Sequence, residues 1–115
     1  MHAIIFEVWP AEGRREDYLG IAAALRAELE KMPGFISVER FESLTEPGKL
    51  LSLSFWESEE AIGSWRRHTA HRGAQKQGRS GVFAGYRLRV AAVVRDYTRN
   101  ERRDQAPADS RDAFG

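Results

Sequence analysis

Cysteine is absent from this chain of 115 residues, and no stretch of apolar residues in it is long. The absence of cysteine excludes disulfides, thiolate nucleophiles, iron–sulfur clusters and zinc sites with cysteine ligands. No apolar run approaches the roughly 18 residues that a membrane-spanning helix needs. The short apolar stretch near the N-terminus also has no basic lead-in of the kind found in signal peptides. We therefore expect a cytoplasmic protein without a membrane partner.

The charge of the chain is distributed unevenly, although its formal net value is only +1. Residues 1–60 hold twelve acidic and six basic side chains, whereas residues 61–95 hold eight basic and no acidic ones. This basic segment either attracts an anionic ligand or forms solvated faces of a helix and a strand. Few aromatic residues are interleaved with the basic ones, so the pattern does not indicate a nucleic-acid partner.

Apolar spacing and turn residues predict six elements in the order β-α-β-β-α-β. Pro33 and Gly34 are expected to end the first helix, and Ser58 is a suitable N-cap for the second. Gly73 and Gly78 favour a bend in the later turns of that second helix. The predicted ranges are residues 3–9, 18–32, 35–45, 50–56, 59–79 and 86–94.

This order predicts an α+β, ferredoxin-like fold, in which an antiparallel four-stranded sheet carries both helices on one face. The sheet face opposite the helices, called the bare sheet face below, would then expose apolar side chains of residues 50–56. A second sheet is therefore expected to cover it. A homodimer with its two sheets face to face is the economical solution. We assign this domain to residues 1–97. Residues 98–115 are charged and poor in apolar side chains, and they are predicted to form a mobile tail.

The second helix carries the residues on which chemistry is most readily placed, namely Trp65, His68 and His71. Trp65 lies on the inward stripe of that helix, either as core packing or as the wall of a pocket for a flat ligand. His68 falls at the edge of this stripe and His71 further toward solvent. A neutral imidazole suits general-base chemistry on a phenolic proton, although a structural role for this pair is equally compatible with the sequence. A third ligand for a metal ion is not evident, so no metal is predicted.

Other polar residues could complete such a pocket. Arg72 and Gln75 are candidates for holding an oxyanion by charge-assisted and amide hydrogen bonds. Glu7 and Tyr86 lie on predicted strands, and they reach the pocket only if their strand faces point inward. The prediction is therefore catalytic roles for His68, Trp65 and Arg72, and substrate contacts for His71, Gln75, Glu7 and Tyr86.

Four sequence segments resemble the antibiotic biosynthesis monooxygenase family over residues 1–97, namely FEVWP, FWESEEAIGSWRRH, HRGAQKQGR and YRLRVAAVVRDY. The resemblance implies a dimeric α+β barrel. It also implies oxidation of quinols or polycyclic phenols by O2 without an added cofactor. A related branch of the family degrades heme with an Asn on the first strand, the helical Trp and a later His. In this chain Glu7 lies near the first of these positions and Gln75 occupies the last, and an amide is a poor axial ligand for iron.

The sequence thus favours a cofactor-independent monooxygenase that acts on a quinol or polycyclic phenol with O2. Two alternatives stay open. One is a dimer that only binds a small aromatic molecule, and the other, less favoured, is a heme-binding or heme-degrading protein.

Overall fold

The computed structural model describes residues 1–71 and 81–110, and the side chains of residues 1–69 and 81–110. The elements are β1 (His2–Pro10), α1 (Arg15–Leu29), β2 (Phe35–Glu42), β3 (Leu50–Trp56), α2 (Glu59–His71), β4 (Phe83–Ala92) and a 3-10 helix (Arg103–Gln105). The strands form one sheet in the order β2-β3-β1-β4, and every neighbouring pair is antiparallel. The predicted ferredoxin-like α+β fold is therefore confirmed.

The first helix ends earlier than the sequence spacing predicts. The backbone N–H groups of Lys31 and Met32 bond to carbonyls three residues earlier, at 3.2 and 3.0 Å, which tightens the chain after Leu29. Gly34 then adopts a φ of +82°, and its carbonyl accepts a 2.8 Å hydrogen bond from the backbone N–H of Glu57. This bond joins the start of β2 to the start of the segment that leads into α2.

The predicted N-cap of α2 is confirmed, because the hydroxyl of Ser58 accepts a 3.1 Å hydrogen bond from the backbone N–H of Ala61. Glu59 and Glu60 in the first turn add negative charge at the positive end of the helix dipole. The predicted bend at Gly73 and Gly78 lies outside the described residues.

Three strands differ from their predicted bounds, and the first of them, β1, is one residue longer at each end. β2 stops at Glu42 because the hydroxyl of Ser43 accepts hydrogen bonds from the backbone N–H groups of Thr45 and Glu46, which turns the chain. β4 begins at Phe83, since an irregularity in the β1–β4 register pairs that residue with Pro10.

Side-chain alternation divides the sheet into two faces. The helix-facing side carries residues at even positions in the middle of each strand, such as Ile4, Phe6, Ser54 and Val38. Two separate groups of buried residues pack there: Val8, Tyr18, Ala22, Leu50 and Val82 in one, and Leu29, Trp56, Ala61 and Ile62 in the other. The opposite face carries half-buried apolar side chains that neither α1 nor α2 covers, namely Ile5, Leu51, Leu53 and Phe55.

The described part of the tail contains local hydrogen bonds. The backbone N–H of Asp96 donates to the side-chain oxygen of Gln105 at 2.9 Å, and Ala106 is only 2% exposed. The mobility of residues 98–115 stays a prediction. Within residues 1–71 and 81–110, no helix has the length and apolar character needed to cross a bilayer.

Candidate active site

A cavity of about 630 Å³ lies between the sheet and the two helices. This volume falls within the range of roughly 300–1,000 Å³ that is typical of small-molecule sites. The lining side chains come from all four strands and both helices, and most of them are apolar. The apolar ones include Ile4, Phe6, Ile21, Leu25, Leu29, Val38, Ile62, Phe83, Leu88 and Val90.

The hollow exists because the central strand β3 presents small side chains to the helices. Its sequence LLSLSFW places Ser52 and Ser54 on the helix-facing side, while Leu51, Leu53 and Phe55 point to the opposite face. The two groups of buried residues both contribute lining residues, so the core is incomplete between them. The indole N–H of Trp56 donates to the hydroxyl of Ser54 at 2.9 Å, which fixes one serine side chain.

Trp65 lines the cavity and also packs against the group of buried residues around Trp56. Its ring centroid lies 6.3 Å from that of Trp56 and 5.6 Å from that of His68, and the His68 ring is nearly parallel to it at 23°. His68 itself is not among the described residues that line the cavity. Its Nε2 is buried and lies 3.5 Å from a carboxylate oxygen of Glu28 on α1.

Sequence reasoning missed six polar residues that line the cavity, namely Tyr18, Arg40, Ser52, Ser54, Arg66 and Thr69. Arg40 on β2 lines the cavity, and its Nη2 donates to the carbonyl of Ala22 at 3.3 Å. Its Nε is buried and has no hydrogen-bond partner among the described residues. Tyr18 on α1 is 5% exposed, and burial raises the pKa of its phenol above the ordinary 10.0, while the nearby positive charge of Arg40 opposes that rise. The sequence did contain one indication of the Arg40 position. Arg40 lies two residues after the apolar Val38, so both side chains are on the same face of β2.

The structure brings some of the predicted site residues together and separates others. Trp65 and Tyr86 line the cavity. Tyr86, on β4, is nevertheless 63% exposed to solvent. Glu7 lies on the opposite face of the sheet. The side chain of His71 lies outside the described residues, as do Arg72 and Gln75 entirely.

Glu7 belongs to a charged cluster on that opposite face. It forms ion pairs with Lys49 of the β2–β3 turn and with Arg89 of β4, the latter at 2.5 Å. Hydrogen bonds from Lys49 and Arg89 hold the pKa of the Glu7 carboxyl below its ordinary 4.5. The hydrogen bond between Lys49 and Glu7 in turn raises the pKa of Lys49. No group of three or more potential metal ligands comes together among the residues that the structure describes.

Comparison with known proteins agrees with this architecture. The model of the antibiotic biosynthesis monooxygenase family matches residues 1–77, and the chain belongs to that family. Jasmonate monooxygenase ABM of Pyricularia oryzae is 42% identical to it over 112 residues, which are 97% of this chain and 52% of that protein. The chain thus spans about half the length of this relative.

Solved structures show the same fold at low sequence identity. A protein from Deinococcus radiodurans assigned to the same family superposes with a TM-score of 0.70 at 12% identity, over 85% of this chain and 97% of that one. The heme-degrader MhuD of Mycobacterium tuberculosis, with two hemes bound in its active site, gives a TM-score of 0.61 at 20% identity. That match covers 85% of this chain and 100% of MhuD.

Proposed function

We propose that this chain is a monooxygenase that oxidises a small hydrophobic molecule with O2 and without an added cofactor, the substrate being a quinol or polycyclic phenol. The observation that carries the proposal is the apolar cavity of about 630 Å³ with the Trp65 indole as one wall. A flat aromatic ring can lie against such a wall, and its exclusion from water favours the reaction that follows. The Pyricularia oryzae relative is itself named a monooxygenase, which supports the reaction class.

The proposed reaction takes all its electrons from the substrate. A base removes a proton from a phenol or an anthrone-type CH2 group, and the resulting anion transfers an electron to O2. The radical pair combines to form a C–O bond, and cleavage of the O–O bond with loss of the second hydrogen gives a quinone carbonyl and one water. The protein contributes orientation, exclusion of water and stabilisation of negative charge.

His68 is the proposed proton acceptor. Its ring stacks on the cavity wall at Trp65, and Glu28 lies 3.5 Å from its Nε2. In the tautomer with a proton on Nε2, the other ring nitrogen is the acceptor, and the Glu28 carboxylate stabilises the imidazolium that forms. This arrangement supports a base at the edge of the cavity rather than within its lining.

A binding protein without turnover is the alternative, and one observation favours it. No imidazole or carboxylate occurs among the described residues that line the cavity. A protein of that kind would take up a small aromatic molecule and release it unchanged. Heme binding is the third candidate, and a Soret band unchanged on mixing with hemin would exclude it.

We propose in addition that the chain acts as a homodimer through the bare sheet face. The half-buried side chains of Ile5, Leu51 and Leu53 form an apolar surface there, and Phe41 beside them is 42% exposed. A second copy related by a two-fold axis would bury the same surface on both chains.

The test is O2 consumption with a panel of anthrones and quinols, with 18O2 incorporation into the product as a second readout. We expect Trp65→Ala and His68→Ala each to lower kcat/KM at least tenfold, because one removes the wall and the other the base. Arg67→Ala, an exposed position on α2, is the control. Unchanged O2 uptake in the Trp65→Ala/His68→Ala double variant would refute the assignment, and binding without uptake by the native chain would establish the alternative.

A further inference from the structure

Arg40 is a cationic side chain placed in a cavity whose lining is mainly apolar. The described ion pairs of the chain do not include it, so no described carboxylate neutralises its charge. One of its donors, Nη2, is used by the carbonyl of Ala22, and its Nε–H is buried without a partner in the described part of the chain. A buried donor on a charged group is costly when it is unpaired, so such groups normally have a partner when the site is filled.

Tyr18 provides a second donor beside this guanidinium. The two residues come from α1 and β2, and both line the cavity. Burial keeps the pKa of the Tyr18 phenol above its ordinary 10.0, so its hydroxyl stays protonated at neutral pH and can donate a hydrogen bond. The cavity therefore has a cationic corner at Arg40 with two kinds of donor. Its other polar lining residues are Ser52, Ser54, Arg66 and Thr69, and the rest of the wall is aromatic or aliphatic.

We propose that this corner binds the carboxylate of a small hydrophobic acid, with the Arg40 guanidinium and the Tyr18 hydroxyl as the ligand-binding groups. The apolar body of the acid then lies along Phe6 and Ile4 toward the Trp65 wall. A carboxylate fits better than a phenolate, because its two oxygens can accept from two N–H groups of one planar guanidinium. The inference rests on the proposed function, since it takes the cavity to be the substrate site, and it narrows the substrate proposed there to a quinol or polycyclic phenol that also carries a carboxylate.

The experiment measures equilibrium binding by isothermal titration calorimetry, with 1-naphthylacetic acid and its primary amide as probes. The two probes have the same shape and differ in charge. For the native chain we expect the acid to bind at least tenfold more tightly than the amide, since charge-assisted hydrogen bonds are about twice as strong as neutral ones. Arg40→Gln is expected to remove this preference by weakening the acid at least tenfold, while the amide changes less than about twofold.

Three further variants make the result specific. Tyr18→Phe keeps the buried ring and should weaken binding of the acid severalfold. Arg40→Lys keeps the positive charge but loses the planar pair of N–H donors, so its loss of affinity for the acid should be intermediate. Arg26→Gln, an exposed helix position paired with Glu30, is the matched control and should bind both probes normally. If Arg40→Gln does not fold, as judged by circular dichroism, the other two cavity variants carry the test.

An acid-to-amide ratio of one in the native chain, or a ratio unaffected in folded Arg40 and Tyr18 variants, would overturn the inference. Binding of 2-naphthol at pH 7.5 as tight as that of the acid, with the same loss in the Arg40 variants, would overturn the carboxylate assignment. Neither result depends on turnover. An acid preference without O2 consumption would count only against the oxygenase, whereas O2 consumption with a ratio of one would count only against the carboxylate site.

Discussion

Replacing Gly34 by alanine tests how closely α2 approaches the loop between α1 and β2. Gly34 has a φ of +82°, and a Cβ built on it would lie 2.6 Å from the Cβ of Ala61 in α2. Gly48, in the turn before β3, has the same φ of +82° but no heavy atom within 4 Å of its would-be Cβ. The two positions therefore share the backbone strain and differ in the space that is available.

The expected losses of stability follow from the backbone strain at both positions and from the steric overlap at Gly34 alone. A left-handed backbone conformation costs an L-residue about 1–2 kcal/mol, so Gly48→Ala should lower the free energy of unfolding by roughly that amount. Carbon atoms in contact normally lie about 3.5–4.0 Å apart, and overpacking of this kind adds about 1–3 kcal/mol. Gly34→Ala should therefore destabilise the protein by about 2–5 kcal/mol in total.

Urea denaturation followed by circular dichroism measures both variants at one protein concentration, since a dimer would make stability concentration-dependent. Ala61→Gly supplies the cross-check. Alone it should cost about 1 kcal/mol of helix propensity. In the Gly34→Ala chain it removes the colliding methyl group and should recover the overpacking part of the loss, about 1–3 kcal/mol, while the strain of the left-handed backbone remains. Equal losses at Gly34 and Gly48, or additive effects of Gly34→Ala and Ala61→Gly, would refute the close approach.

Two further predictions concern the bare sheet face. Because Lys49 and Arg89 lower the pKa of Glu7, its stabilising contribution is complete above the ordinary value of 4.5 and is lost as pH falls through the depressed pKa. Unfolding free energy measured from pH 6 to 3 should thus fall more steeply for the native chain than for Glu7→Gln, and parallel curves would contradict this. Leu53→Asp should halve the mass found by light scattering, since it places a carboxylate in the proposed dimer interface. Leu44→Asp, at a fully exposed loop position, should leave the mass unchanged, and a dimeric Leu53→Asp chain would count against this interface.

The candidate site could be read from the sequence only in part. Trp65 was placed correctly on the cavity side because a helix with apolar positions at spacings of three and four has one inward stripe. Glu7 could not be placed, since β1 is apolar at both odd and even positions and either phase could have faced the helices. Arg40 was missed for a related reason, because a charged residue in a strand is normally assigned to solvent.

The amino-acid sequence by itself determined the order of the elements and the kind of fold, since these depend on local periodicity, turn residues and capping groups that act within a few residues. Only the tertiary structure decided which face of the sheet received the helices. In β3 that face carries Ser52 and Ser54 instead of the larger Leu51 and Leu53, which leaves a hollow where periodicity alone would have placed a filled core. Packing across the sheet then brought Tyr18 and Arg40 to one corner of that hollow, and no spacing along the chain encodes such a contact.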